Sequence, residues 1–327
     1  MHLIVPYAGT VSEAGRHALQ SLSLPGLDQL LARLTPGPAL GSDEFSLNLP
    51  HEQALACAHG WADASPQGSG PPGHAVRDRA LPDRALPFAA VQAAALGLGD
   101  ADAAWGLLTP VHLLVGSDGI SLTDPESLQL DEAASRELLE IVRHLFESEG
   151  FTLHWAAPLQ WLASHAQFDA LPAASIDRVI GRNVLPWLPE QRSARLIRRL
   201  QNEVQMTLYT HGVNDRREAA GLLTVNSFWL SGCGRLPGAA ARHGTEVTLD
   251  DRLRGPALNE DWAAWCEAWR ALDGGPIAAL LASGAAAQIT LCGERRALPF
   301  TPRPRGLWQK LASRWQRPAL HDLLESL

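Results

Sequence analysis

The chain has 327 residues, is 46% hydrophobic and carries a formal net charge of −8. That length can bury one large core or two modest ones, so a soluble globular protein is expected. The acidic balance argues against broad nucleic-acid binding, which needs basic surface to neutralise phosphates.

In chain order, His2 to Val5 reads as a strand. Its setting, MHLIVPYAGT, lacks the basic flank, long apolar core and small-residue cleavage pattern of a secretory signal. An amphipathic segment follows Gly9, and then Leu24 to Leu34. Pro50 to Gly60 reads as a helix, with proline at its start and glycine closing it. Residues 62–87 are rich in proline, glycine and charge, as an exposed flexible loop should be. Val111 to Val115 reads as a strand and Asp124-Pro125 as a turn. Asp131 to Ser148 is expected to be a helix with Leu138, Leu139, Val142, Leu145 and Phe146 on one face, an N-cap at Asp131 and a stop at Gly150. Phe151 to Trp155 is the next strand.

From Ser175 the sequence SIDRVIGRNV leads through Pro186 and Pro189 into a helix whose apolar stripe is Ile197, Leu200, Val204 and Leu208. A different face carries Arg198, Asn202, Gln205 and Tyr209, either solvated or available for binding. Glu246 to Leu249 and Gln288 to Leu291 read as strands. Between them Glu260 to Leu272 is a helix whose Trp262, Trp265 and Trp269 follow helical spacing, which marks a packing seam. The tail holds Trp308, Leu311, Trp315, Leu320 and Leu323 and is expected to dock on the body; its basic stretch Arg303 to Arg317 is an alternative partner contact. No stretch reaches the ~20 apolar residues of a membrane span. Cys57, Cys233, Cys266 and Cys292 are scattered without a C-x-x-C pair, which indicates neither a zinc knuckle nor a disulfide framework. A cytoplasmic protein without a membrane partner is expected, and the succession of strands and helices favours an α/β or α+β sheet protein.

The chemically richest stretch is His211 to Gly234, HGVNDRREAAGLLTVNSFWLSGCG. Asn214, Arg216, Arg217, Asn226, Ser227 and Trp229 lie in or beside a short apolar run ending in the glycine-spaced turn Ser231-Gly232-Cys233-Gly234. Buried amides and guanidiniums must find partners or they destabilise the fold. Two readings satisfy them: a hydrogen-bonded loop bracing two strands, or an Arg fork with Asn amides that holds a phosphate or carboxylate. Because the preceding helix runs straight into His211, the candidate ligand pocket comprises Arg182, Asn183, Asn202, Gln205, His211, Asn214, Arg217 and Asn226. Gly232-Cys233-Gly234 offers a thiol nucleophile with His211 as base, although a small residue in a tight turn explains it more simply. His112, Asp118 and Asp124 read as a core histidine and two turn-forming aspartates. There is no G-x-S-x-G elbow, Walker loop, strand-borne G-x-G-x-x-G or H-E-x-x-H.

The order H-x-V-N-x-x-R-E, then A-x-G-x-x-x-x-N-S-F-W-L-x-G-x-G-R-x-P, resembles a segment of the archaeal-type cofactor-independent phosphoglycerate mutases, members of the alkaline phosphatase superfamily. The matching positions are His211, Asn214, Arg217, Gly221, Asn226, Trp229, Gly232, Gly234 and Pro237; a group of proteobacterial proteins has the same pattern. The resemblance implies an α/β fold with an alkaline-phosphatase-like sheet flanked by helices and an inserted α+β region. Residues 1–61 and 236–327 would form the discontinuous core, 62–87 the loop, and 88–235 the insertion with the polar pocket. It also implies a two-metal centre with a Ser nucleophile and Asp and His ligands. The chain departs from that pattern: Pro6-Tyr7-Ala8-Gly9 stands where the family has Asp-Gly after its first strand, and Cys292-Gly293-Glu294-Arg295 where it has Asp-His after a late one. An arginine at a ligand position repels a cation.

The expectation is a scaffold without the family's chemistry and without a metal cofactor, binding a phosphorylated or carboxylated metabolite in a sensing or scaffolding role. Two alternatives stand beside it. One is a working phosphomutase or phosphohydrolase with Mn or Zn on Asp118, Asp124, His211 and Asp215. The other is a protein-interaction module using the Trp-rich C-terminal helices, possible also as a homo-oligomer.

Overall fold

A computed structural model describes residues 1–41, 43–61, 65–66, 79–80, 83–99, 102–117, 119–169, 171–188, 194–236, 246–283, 287–302 and 319–327. Most of the expected loop at 62–87, and Asp118, Pro237, Trp308, Leu311 and Trp315, lie outside these residues. The architecture is mixed α/β, with sheets flanked by helices. Two compact units divide it: Met1–Glu44, Leu49–Pro82 and Ala239–Leu327 form the first, and Phe45–Asn48 with Asp83–Gly238 the second.

In the first unit, β1 (His2–Val5) runs parallel to β12 (Val247–Leu249) on one side and β13 (Gln288–Cys292) on the other. A parallel strand covered on both faces reads as an unbroken apolar run, and Leu3, Ile4 and Val5 are all fully buried. The sheet continues antiparallel through β14 (Arg296–Thr301), which pairs with β2 (Thr35–Pro36) and β3 (Leu40–Gly41); β5 (Arg79–Ala80) and β4 (Ser65–Pro66) complete it.

Leu3 and Val5 join a core with α1 (Glu13–Gln20), α2 (Pro25–Arg33), α10 (Trp262–Leu272) and α11 (Ala278–Ala282), while Ile4 meets α3 (Pro50–Ala58) on the other face. A short helix, α9 (Arg254–Leu258), leads into α10. Trp265 and Trp269 are fully buried and edge-to-face, with ring centroids 6.1 Å apart. Their helical spacing therefore marks core. Helix α2 begins with Pro25 and has no side-chain cap of its own. The Asp273 carboxylate supplies one from the far end of the chain, accepting from Gly26 N at 3.0 Å and Leu27 N at 2.6 Å.

The second unit holds an antiparallel sheet in the order β11 (Ser227–Arg235), β6 (Ala104–Val111), β10 (Gln160–Ser164), β9 (Thr152–Ala157). One face packs on α5 (Glu132–Glu147) and α7 (Arg195–Tyr209), whose stripes supply Leu138, Leu139, Val142, Phe146, Ile197, Leu200, Val204 and Leu208. The other meets α4 (Phe88–Ala95) through Ala89, Ala90 and Ala93, and a one-turn helix, α6 (Ile176–Val179), precedes α7 in the chain. Asp131 caps α5 as expected, accepting from Ala134 N at 2.8 Å.

Three sequence readings are corrected here. The strand expected at Val111 to Val115 is split, with β6 ending at Val111 and β7 (Leu113–Gly116) starting a separate hairpin with β8 (Gly119–Leu122). The Asn-Arg loop after His211 is helix α8 (Gly212–Ala219). The glycine-spaced turn is a bulge within β11, where the register shifts between Ser231 and Gly234. Gly232 has φ 63°, and a Cβ there would stand 3.1 Å from the Ala89 backbone nitrogen, so the bulge and the close passage of α4 both call for glycine.

Candidate functional site

The polar stretch of the second unit is built on α8. His211 is the N-cap, its Nδ1 accepting from Val213 N at 3.2 Å. Asn214 is buried: its Nδ2 donates to Leu208 O at 3.0 Å and Val225 O at 2.8 Å, and its Oδ1 accepts from Val225 N at 3.0 Å. One side chain thus ties the end of α7 to the approach of β11. Buried Arg217 donates from Nε to Leu223 O at 2.7 Å and from Nη2 to Leu128 O. Burial pulls its guanidinium below the ordinary arginine value, with Asp131 opposing the shift. Asn226 accepts from Leu113 N and donates to Leu113 O, both at 2.8 Å, and so acts as a one-residue strand partner for β7.

Arg182 is half-buried and Asn183 exposed. Asn183 forms a bridge with Ser121 of β8 and accepts from Leu185 N at 3.2 Å. Asn226 and Asn183 therefore hold opposite strands of the β7–β8 hairpin. Asn202 and Gln205 lie on the exposed face of α7, away from its buried stripe. Of the eight candidate residues, the structure brings His211, Asn214 and Arg217 together on α8, with Asn226 next to the Val225 that Asn214 binds. Within that group Asn214, Arg217 and Asn226 spend hydrogen bonds on backbone, the strand-bracing alternative.

The thiol-nucleophile reading is corrected. Cys233 is buried in β11, and burial pushes its thiol far above the ordinary cysteine value, where no reactive thiolate forms at neutral pH. Asp124 caps a 3₁₀ turn by accepting from Glu126 N at 3.2 Å, and Asp215 is an exposed first-turn residue of α8. Among the described residues no group of three or more His, Cys, Asp or Glu side chains could hold a metal ion. Asp124, His211 and Asp215 do not converge as one such group, and Asp118, the fourth residue of the metal-dependent alternative, lies outside the described residues. Neither does any helix among them have the length and apolar character to cross a membrane.

The first unit offers the other place to look. Because β1 and β13 are parallel neighbours, their carboxyl ends lie side by side, joined by Ala8 N donating to Cys292 O at 2.7 Å. Open α/β sheets bind ligands in the crevice beyond such ends. Tyr7 there has a left-handed backbone, φ 54°, a conformation that costs a non-glycine residue about 1–3 kcal/mol and clusters at functional sites. Its carbonyl accepts the Trp265 indole N–H at 3.0 Å.

The crevice is filled by the chain itself. In the helix Leu320–Glu325 and just beyond it, Leu324 and Leu327 are 1% and 4% exposed, and Leu327 O accepts from Arg295 N and Arg296 N at 3.0 and 2.7 Å. Sequence reasoning put Leu320 and Leu323 on the body but missed this seat. Its signal was the glycine that follows each apolar strand region, Gly9 and Gly293.

A mixed α/β chain with sheets flanked by helices is thus the class that the geometry defines. No family model matches the chain. Over 177 residues it is 27% identical to a probable 2,3-bisphosphoglycerate-independent phosphoglycerate mutase of Geobacter sulfurreducens, a match that takes in 50% of this chain and 43% of that protein. The matched part is thus less than half the length of that relative. Solved structures similar to this chain include PH0037 protein from Pyrococcus horikoshii, at a TM-score of 0.44 and 11% identity over 92% of this chain and 87% of that one. The cofactor-independent phosphoglycerate mutase from Thermoplasma acidophilum gives a TM-score of 0.34 and 14% identity over 94% and 90%. The sequence is similar to the cofactor-independent mutases.

Proposed function

We propose that the chain is a non-catalytic relative of the phosphoglycerate mutases, a sensor or scaffold that binds a phosphorylated or carboxylated small molecule. The observation that carries the non-catalytic part is the closed strand-end crevice: Leu324 and Leu327 are buried where Pro6-Tyr7-Ala8-Gly9 and Gly293-Glu294-Arg295 meet, and a two-metal centre needs converging carboxylate and imidazole ligands. The binding part rests on side-chain chemistry in the second unit. The guanidinium of half-buried Arg182 and the amides of exposed Asn202 and Gln205 are donors of the kind that hold the oxygens of an anion.

The opposing reading, an active metal-dependent mutase or phosphohydrolase, draws on the activity named for the Geobacter relative. One purified sample decides between them. Metal content, phosphoglycerate mutase turnover and generic phosphatase turnover are measured with and without added Mn²⁺, alongside the melting temperature with 3-phosphoglycerate. The expected result is no bound metal, no turnover, and a ligand-dependent rise in Tm that Arg182→Ala removes. Turnover abolished by changing Asp124, His211 or Asp215 would replace this proposal with the enzymatic one.

A further inference from the structure

Neither Gly9 nor Gly293 has a positive φ, so backbone conformation does not explain the absence of a side chain at either position. Close approach does. A Cβ at Gly9 would stand 2.1 Å from Leu324 O, and one at Gly293 would stand 2.5 Å from the Leu327 carbonyl carbon. Both glycines are therefore the floor of a seat for residues 319–327.

The segment depends on that seat more than the seat depends on it. Its helix, Leu320–Glu325, has six residues, too few to persist alone in water. It is anchored by the side chains of Leu324 and Leu327, by the two backbone bonds into Leu327 O, and by a 3.2 Å contact of His321 Nε2 with Leu22 O. The floor, by contrast, is fixed by the β1–β13 ladder and by Ala8 N on Cys292 O, which include no atom of the segment.

We propose that residues 319–327 form an intramolecular plug, a separable element that closes the ligand crevice of the parallel sheet and whose seat accepts this leucine-bearing helix as a ligand. The plug is released as a unit while β1 and β13 stay paired.

The test is amide hydrogen exchange on the full chain. In Gly9→Ala and in Gly293→Ala, the Arg295 and Arg296 amides are expected to exchange at least about tenfold faster, as local opening predicts, while the Ala8 amide keeps its protection. A second variant, Leu324→Asp, expels the plug but leaves the glycine floor intact. Adding a synthetic peptide of residues 319–327 to it is expected to restore Arg295 and Arg296 protection in a saturable manner. Unchanged exchange in the glycine variants overturns the proposal. So does loss of Ala8 protection together with the other two amides, which would make the segment an integral part of the core, and so does failure of the peptide to restore protection in Leu324→Asp.

Discussion

The strand ends of the first unit and the polar helix of the second solve one problem with opposite chemistry. Both are places where backbone groups and special residues converge as they would around a ligand. In the first unit the gap is closed by leucine and by a backbone carbonyl over two glycines. In the second, amide and guanidinium groups fold inward and take up backbone partners that would otherwise be orphaned. A polar cluster in a sequence is thus as compatible with internal bracing as with binding, and an apolar tail as compatible with a site as with a core.

The largest expected effect sharpens the apolar side of that comparison. Trp265→Ala removes a fully buried indole, its packing on Trp269 and the bond that fixes the Tyr7 carbonyl; it should lower stability by about 4 kcal/mol in denaturant unfolding. Asn214→Leu tests the polar side. The substitution leaves Leu208 O, Val225 O and Val225 N without their partner and should cost about 3 kcal/mol, with loss of amide protection at Val225. A cost below about 0.5 kcal/mol would mean that Asn214 does not brace the fold and would make it a candidate ligand contact again. Asp273→Ala, which uncaps α2 at Gly26 and Leu27, should cost about 2 kcal/mol and show first as faster exchange in the first turn of that helix.

The smallest effect is the pH dependence, to which both units contribute. His2 of β1 is held below the ordinary histidine value by burial first, then by the N-terminal ammonium and His59; its Nε2 lies 2.8 Å from Thr290 Oγ1. His165 is lowered by burial, with Glu149 opposing, and stacks on Phe151 at 4.1 Å. In each case the unfolded chain takes up a proton at a higher pH than the folded one. Stability is therefore full above the unfolded value of about 6.5 and falls as the pH drops through the window between that value and the lower folded one. A Tm series over this range should slope downward toward acid, and His2→Gln should flatten part of the slope. A flat profile in the parent chain would contradict the lowered values of both half-buried rings.

Local chemistry was enough for the elements whose signals are local. The stripe and Asp131 cap of α5, the stripe of α7, the proline-led start of α3 and the apolar runs of β1 and β13 all depend on residues a few positions apart, and the structure has each of them. Central strand β6 was legible only at its last residue, because a strand covered on both faces shows no alternation and this one carries Gly106 and Pro110. Helix α8 looked like a loop for a related reason: its buried Asn214 and Arg217 are inside only because backbone carbonyls outside the helix receive them, those of Leu208, Val225, Leu223 and Leu128.

The sequence by itself determined the composition of the candidate site and the helices with their own caps. Only the tertiary structure decided where each polar group would be satisfied. Arg217 reaches Leu128, 89 residues away, and Asn226 reaches Leu113, 113 residues away. Hydrogen-bond partners and close approaches at such separations are set by the packing of whole elements, so neither the inward turn of the polar cluster nor the leucines seated over Gly9 and Gly293 can be read from spacing along the chain.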